Sequence, residues 1–154
     1  MQFFYWNKSF EVGIPAIDFQ HRSLVDLINT LAAVFVEGGR LPDVQALGGR
    51  LLEYATIHFH DEEQLMATCP LTKEEKAFHR KAHNSFVVKA QEILLRPDLL
   101  QEDVSQQVLE FLTTWLISHI LGSDMKIAHS LAQNGTACER NEQQLFDISC
   151  RAPW

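Results

Sequence analysis

Seven histidines stand in a chain of 154 residues, and their spacing from one another and from acidic residues is where chemistry is to be sought. His58 and Glu62 are four apart, as are His79 and His83. Four residues of helix turn through about 400°, so each pair lies about 40° apart, one turn above the other. Each pair can therefore grip one metal ion or two adjacent ones. His119 and Asp124 are five apart, which on an ideal helix separates them by about 140°. That spacing suits joint ligation only if a two-metal cluster lies between them, or if Gly122 lets the helix bulge locally. His21 follows Asp18 by three. Any one of these histidines alone is well explained as a hydrogen-bonded core residue. Two i,i+4 pairs on apolar stripes are harder to explain so, because burying several imidazoles and a carboxylate without partners costs several kcal/mol, roughly.

The candidate ligand set is thus His21, His58, Glu62, His79, His83, His119 and Asp124. Seven ligands are too many for one tetrahedral zinc. They suit two metals bridged by the carboxylates, and nitrogen and oxygen donors without cysteine favour iron or manganese over copper or structural zinc. Ferritin-like di-iron bundles carry Glu-x-x-His motifs. No histidine here has Glu three residues before it, which weighs against a ferroxidase or di-iron oxygenase. His60 lies about 200° round the helix from His58, and His129 matches no pairing. Both are expected at the surface or behind the ligands.

Elements must position these residues. Breakers fall at Gly38-Gly39-Arg40-Leu41-Pro42, Cys69-Pro70, Arg96-Pro97-Asp98 and Asn134-Gly135. Between them four segments, about 18–36, 44–66, 72–95 and 104–132, carry apolar residues at helical spacing. Asp18 is the expected N-cap of the first. Thr72-x-x-Glu75 reads as a capping box opening the third. Long amphipathic helices with short connections predict an all-α, up-down-up-down antiparallel four-helix bundle over residues 18–132. Residues 1–17 form an ordered N-terminal arm, since Phe3, Phe4, Trp6, Phe10, Val12 and Ile14 are too apolar to leave in water. Residues 133–154 form a polar C-terminal extension or linker.

Composition narrows the function. The net charge of −7 argues against nucleic acid and anionic membrane as partners. Polar residues interrupt every apolar run well before the 18 or so residues that a membrane span needs, and the N-terminus lacks the basic region of a secretory signal. Three cysteines, Cys69, Cys138 and Cys150, are odd in number and lack metal-site spacing, so a reducing, cytoplasmic setting is expected.

The chain resembles the hemerythrin family, specifically its bacterial members. The resemblance is carried by the stretch from Phe10 through Asp18 to His21, by His58-Phe-His-Asp-Glu62-Glu-Gln-Leu-Met66, by His79-Arg-Lys-Ala-His83, and by Trp115-Leu-Ile-Ser-His119-Ile-Leu-Gly-Ser-Asp124. It runs from about residue 5 to residue 130, with no ligand position missing. It implies two iron ions with a bridging oxo or hydroxo group inside the bundle, binding dioxygen reversibly. His79, His83 and His119 would complete one iron. His21 and His58 would bind the other and leave it an open position, where small anions such as azide would also bind. Glu62 and Asp124 would bridge the pair. Trp115, Leu116 and Ile120, at offsets of four, three and one from His119, would wall the open position and slow water attack and proton delivery.

Three roles use such a site. An oxygen- or redox-sensing module is ranked first, because the 22 or so residues after the fourth helix have no evident use in a carrier. Members of the family occur fused to diguanylate cyclases and chemoreceptors, so a downstream signalling domain is an expected partner. A stand-alone dioxygen carrier or store is the alternative. An enzyme processing peroxide or nitric oxide is ranked last, since no acid–base constellation stands beyond the ligands.

Overall fold

The computed structural model describes residues 3–134 and bears out the helical bundle. Helices α1 (Pro15–Val36), α2 (Leu41–Thr68), α3 (Lys73–Leu94) and α4 (Glu102–His119) run in turn along the bundle, and no strand occurs among the described residues. Helix α1 packs on α2 and α4, α2 on α3, and α3 on α4, which closes the ring. The core is an apolar column that includes Leu24, Ile28 and Leu31 of α1, Leu51 and Leu65 of α2, Phe86 of α3, and Val108, Leu112 and Leu116 of α4. Gly48 lets two helices approach closely: a Cβ there would stand 2.5 Å from Leu94 Cδ2. No described helix is long and apolar enough to cross a membrane.

Two helix starts differ from expectation. Helix α1 begins at Pro15, so Asp18 lies inside the first turn instead of capping it. Proline is at home there, because its missing N–H would be unsatisfied in any case. The Asp18 carboxylate instead accepts the backbone N–H groups of Val12 at 2.7 Å and Gly13 at 3.1 Å, tying the arm to the helix. Gly13 makes that tight entry at φ +84°, a conformation costly for other residues. Helix α2 likewise begins at Leu41, earlier than expected, because Pro42 sits in its first turn and does not end the preceding loop. The capping box at α3 forms as read: Thr72 Oγ1 accepts from the Glu75 N–H, and the Glu75 carboxylate accepts from the Thr72 N–H.

The arm is ordered. Phe4, Phe10, Val12 and Ile14 are buried. The Asn29 side chain accepts the N–H groups of Phe3 and Phe4 and donates to the Phe4 carbonyl. Arg22 pairs with Glu11 at 2.6 Å and lies over the Trp6 ring. The expected extension from residue 133, with Cys138 and Cys150, falls almost wholly outside the described residues.

After α4 the rod does not end. One π-helical turn, Ile120–Asp124, joins it to α5 (Met125–Asn134). An i→i+5 turn places residues five apart nearly one above the other, which an α-helix cannot do. This bulge is the local distortion that the His119–Asp124 spacing requires. A Cβ at Gly122 would meet nothing within 4 Å, and its φ is not left-handed. Sterics do not demand glycine there; its low helix propensity makes the departure from α geometry cheaper.

Candidate metal centre

All four bundle helices send side chains to one buried point. Helix α1 supplies His21, α2 supplies His58 and Glu62, α3 supplies His79 and His83, and α4 with its π turn supplies His119 and Asp124. All seven are buried, none more than 5 % exposed. Their donor atoms form two groups whose atoms lie within 4.8 Å of one another: Glu62, His79, His83 and His119, and His21, His58, Glu62 and Asp124. Glu62 belongs to both. Its Oε2 lies 3.2 Å from His83 Nε2, 3.4 Å from His79 Nε2 and 3.8 Å from His58 Nε2. Asp124 reaches both halves with different oxygens. Oδ2 lies 3.1 Å from His21 Nε2, while Oδ1 lies 3.1 Å from His119 Nε2 and 3.2 Å from His79 Nε2.

The donor set fits two metal ions. The Nε2 atoms of His79 and His83 each lie 2.9 Å from His119 Nε2. Three imidazole nitrogens converge in this way where they share a proton or a cation. The buried oxygens of Glu62 and Asp124, and Nε2 of His21 and His58, have no hydrogen-bond partner. Leaving charged oxygens so would be costly without a cation to face them. Burial drives the His58 imidazole down to about 3, so it stays neutral, as a metal ligand must be. Burial would lower His119 too, but the carboxylates of Asp124 and Glu62 outweigh it and carry that ring up to about 10. Burial would raise both carboxyls, yet the imidazoles around them hold Glu62 and Asp124 well below the usual carboxylate range. Two ionised carboxylates ringed by imidazoles make a centre that attracts positive charge.

The remaining sides of the ligands are held as well. The Phe59 ring stacks on His83 at 4.0 Å, and Trp115 stacks on His119 at 4.4 Å. His83 Nδ1 faces Glu63 Oε1 at 2.9 Å, with Arg80 beside that carboxylate. His58 Nδ1 faces Gln20 Oε1 at 2.8 Å, and Gln20 Nε2 donates to Asp61 Oδ2 at 2.7 Å. Sequence reasoning missed Gln20, Asp61, Glu63 and Phe59. All four adjoin a ligand in sequence, and a ligating histidine usually has a polar partner on its other nitrogen. That rule directs attention to such neighbours without saying which would reach.

His60 and His129 are exposed and belong to neither group. Leu116 of α4 and Ile120 of the π turn are buried. Trp115 stands against the three-histidine half, touching the rings of His119, Phe59 and Phe86, and not against His21 or His58. The Trp6 ring of the arm approaches His21, at 6.4 Å. A surface cleft of about 320 Å³ lined by Leu71, Phe78, Ser123 and Lys126 reaches the edge of His79.

Residues 12–129 match the family model described as the hemerythrin HHE cation binding domain. The chain is 31% identical over 126 residues to a bacteriohemerythrin of Clostridium acetobutylicum, covering 79% of this chain and 95% of that protein. It is 32% identical over 123 residues to a hemerythrin-like protein of Naegleria gruberi, covering 80% and 89%. A bacteriohemerythrin of Stenotrophomonas maltophilia is 29% identical over 140 residues, covering 90% and 88%.

Proposed function

The chain belongs to the hemerythrin family, and from that premise we propose that it is a non-heme di-iron module that binds dioxygen reversibly. One observation carries the reading: two buried donor groups that share Glu62, in which carboxylate oxygens without a hydrogen-bond partner lie among imidazole nitrogens. His79, His83 and His119 would hold one iron and His21 and His58 the other, with Glu62 and Asp124 common to both. A reduced iron pair supplies the electrons that reversible dioxygen binding needs. The half with one histidine fewer would leave a position for dioxygen, or for an anion such as azide. Around it the protein's own task would be exclusion of water and protons, and buried Leu116 and Ile120 are our candidates for its apolar wall.

Metal analysis after iron-replete expression should find two irons per chain. The anaerobically reduced protein should take up dioxygen and release it under vacuum. One zinc per chain in place of two irons would overturn the reading.

The role we propose for this binding is sensing of oxygen or redox state, in which the module feeds a signalling domain. A dioxygen carrier shares every side chain of the site, and the two differ in how long the reduced form survives air. A lifetime of many hours in air would favour the carrier, and rapid autoxidation the switch. The wall is tested in the same assay. Leu116→Ala removes no ligand, so iron content should hold while autoxidation quickens and quickens further with azide. Losing a buried leucine costs about 2–5 kcal/mol in any case, so stability cannot decide. A wild-type rate in folded, loaded protein would make Leu116 ordinary core.

A further inference from the structure

His58 can serve as a ligand through Nε2 only in one of its two neutral forms, the one whose hydrogen is on Nδ1. The other form would point an N–H at Glu62 and Asp124 and offer no lone pair. The group that decides lies behind the ring. Gln20 Oε1 stands 2.8 Å from His58 Nδ1. An amide oxygen can only accept, so it demands the Nδ1–H form. Turned end for end, the same amide would present its NH₂ to Nδ1 and select the wrong form. The Gln20 side chain is 1 % exposed, and water does not choose its orientation. Asp61 does: its Oδ2 accepts from Gln20 Nε2 at 2.7 Å. With the amide reversed, two oxygens would meet at that distance. Asp61 is itself 2 % exposed, on the far side of Gln20 from the metal centre.

We propose that Asp61 is a positioning residue that acts through the Gln20 amide to hold His58 in its Nδ1–H form, with the Nε2 lone pair turned into the metal centre. The inference rests on the reading of His58 as a ligand. The other half is arranged differently. There a carboxylate, Glu63, meets His83 Nδ1 directly. A direct carboxylate makes the ring a stronger electron donor than an amide does. The interposed amide therefore gives the His58 half a ligand of fixed orientation without that extra donation, while Asp61 supplies the orientation from one residue further away.

The test uses the full-length chain, first stripped of metal and confirmed helical, then reloaded. Long-range proton–nitrogen NMR on the stripped wild type should show His58 as a single form protonated on Nδ1. Finding it protonated on Nε2 overturns the proposal without any variant. Asp61→Asn keeps size and hydrogen bonding but can pair with Gln20 in either polarity. It should populate both forms of His58 and weaken cobalt(II) or iron(II) binding about 10-fold or more. Gln20→Glu alone sets two carboxylates against each other and should lose loading. The double variant Gln20→Glu/Asp61→Asn exchanges acid and amide. The carboxylate at 20 accepts both from Nδ1–H and from the amide at 61, so the single form and the affinity should return. Because the carboxylate now meets His58 directly, the reduction potential of the loaded centre should fall below that of the wild type, a shift that simple repacking would not produce. If Asp61→Asn keeps one Nδ1–H form, or if the double variant folds without regaining it, Asp61 does not orient the ring. A wild type with the correct form that takes up no metal at His58 would leave the lock standing and overturn the di-iron reading instead.

Discussion

His58 and His60 are two residues apart, yet one is buried among carboxylates and the other lies in solvent. Rotation of about 100° per residue is the whole cause. It makes a sharp expectation at the scale of single residues. His58→Ala should cut iron loading severely, whereas His60→Ala and His129→Ala should leave it near wild type by metal analysis. Glu62→Ala should be the most damaging of the single changes, because the same Oε2 faces His58, His79 and His83 and both donor groups lose a member. Equal loss in His58→Ala and His60→Ala would mean that the helix face has been misassigned. His58, Glu62, His79 and His83 were legible from spacing, since i,i+4 neighbours share a face whatever the tertiary context. Gln20 and Asp61 were not, because 41 residues separate them and only the docking of α1 on α2 brings them to 2.7 Å.

At the scale of elements, the rod that carries His119 and Asp124 holds the least regular feature of the bundle. The π turn absorbs one residue more than an α-helical turn, and so lifts Asp124 into line with His119. Deleting exposed Gly122 should therefore convert the turn to α geometry with the aspartate still facing the centre, now four residues from His119. Loading and helicity should survive. Inserting one alanine after Gly122 should instead swing the aspartate about 100° away and abolish its share of the site. The two variants have opposite expected outcomes in one metal assay, and equal loss in both would show that the bulge is needed for itself. The sequence announced a need for some distortion here, through the five-residue spacing. The kind of distortion, and its full extent from Ile120 to Asp124, depended on both ends of the rod being packed: Leu116 and His119 before it, Ile127 after it.

For the molecule as a whole, the buried carboxylates would couple metal binding to folding. Glu62 and Asp124 lie in the centre of the bundle with oxygens that no protein hydrogen bond satisfies. Cations bound there are bound by the folded chain and far less by the unfolded one. At a metal concentration 100-fold above the dissociation constant, such linkage adds about 2.7 kcal/mol, or on the order of 5–10 °C in Tm for a chain of this size. Chelation should lower the midpoint of thermal unfolding by about that much, and restored iron(II) should recover it. An unchanged Tm between stripped and loaded protein would contradict a metal centre in the bundle core. The four-helix rods and the apolar column between them should keep the stripped chain helical below that midpoint, because the core clusters extend well beyond the site.

Local rules were enough for the pairs His58–Glu62 and His79–His83, the helix faces, the capping box at Thr72 and the helical elements, because each depends on residues within about one turn of one another. They failed at the helix starts, where Pro15 and Pro42 open helices that composition alone would have begun later, and where Asp18 serves the arm's backbone instead of the helix end. Only tertiary structure decided which side chains stand behind the ligands. Whether an amide or a carboxylate meets a given imidazole is settled by how two helices are rotated and shifted against each other. That depends on the entire packed interface and not on any spacing along the chain.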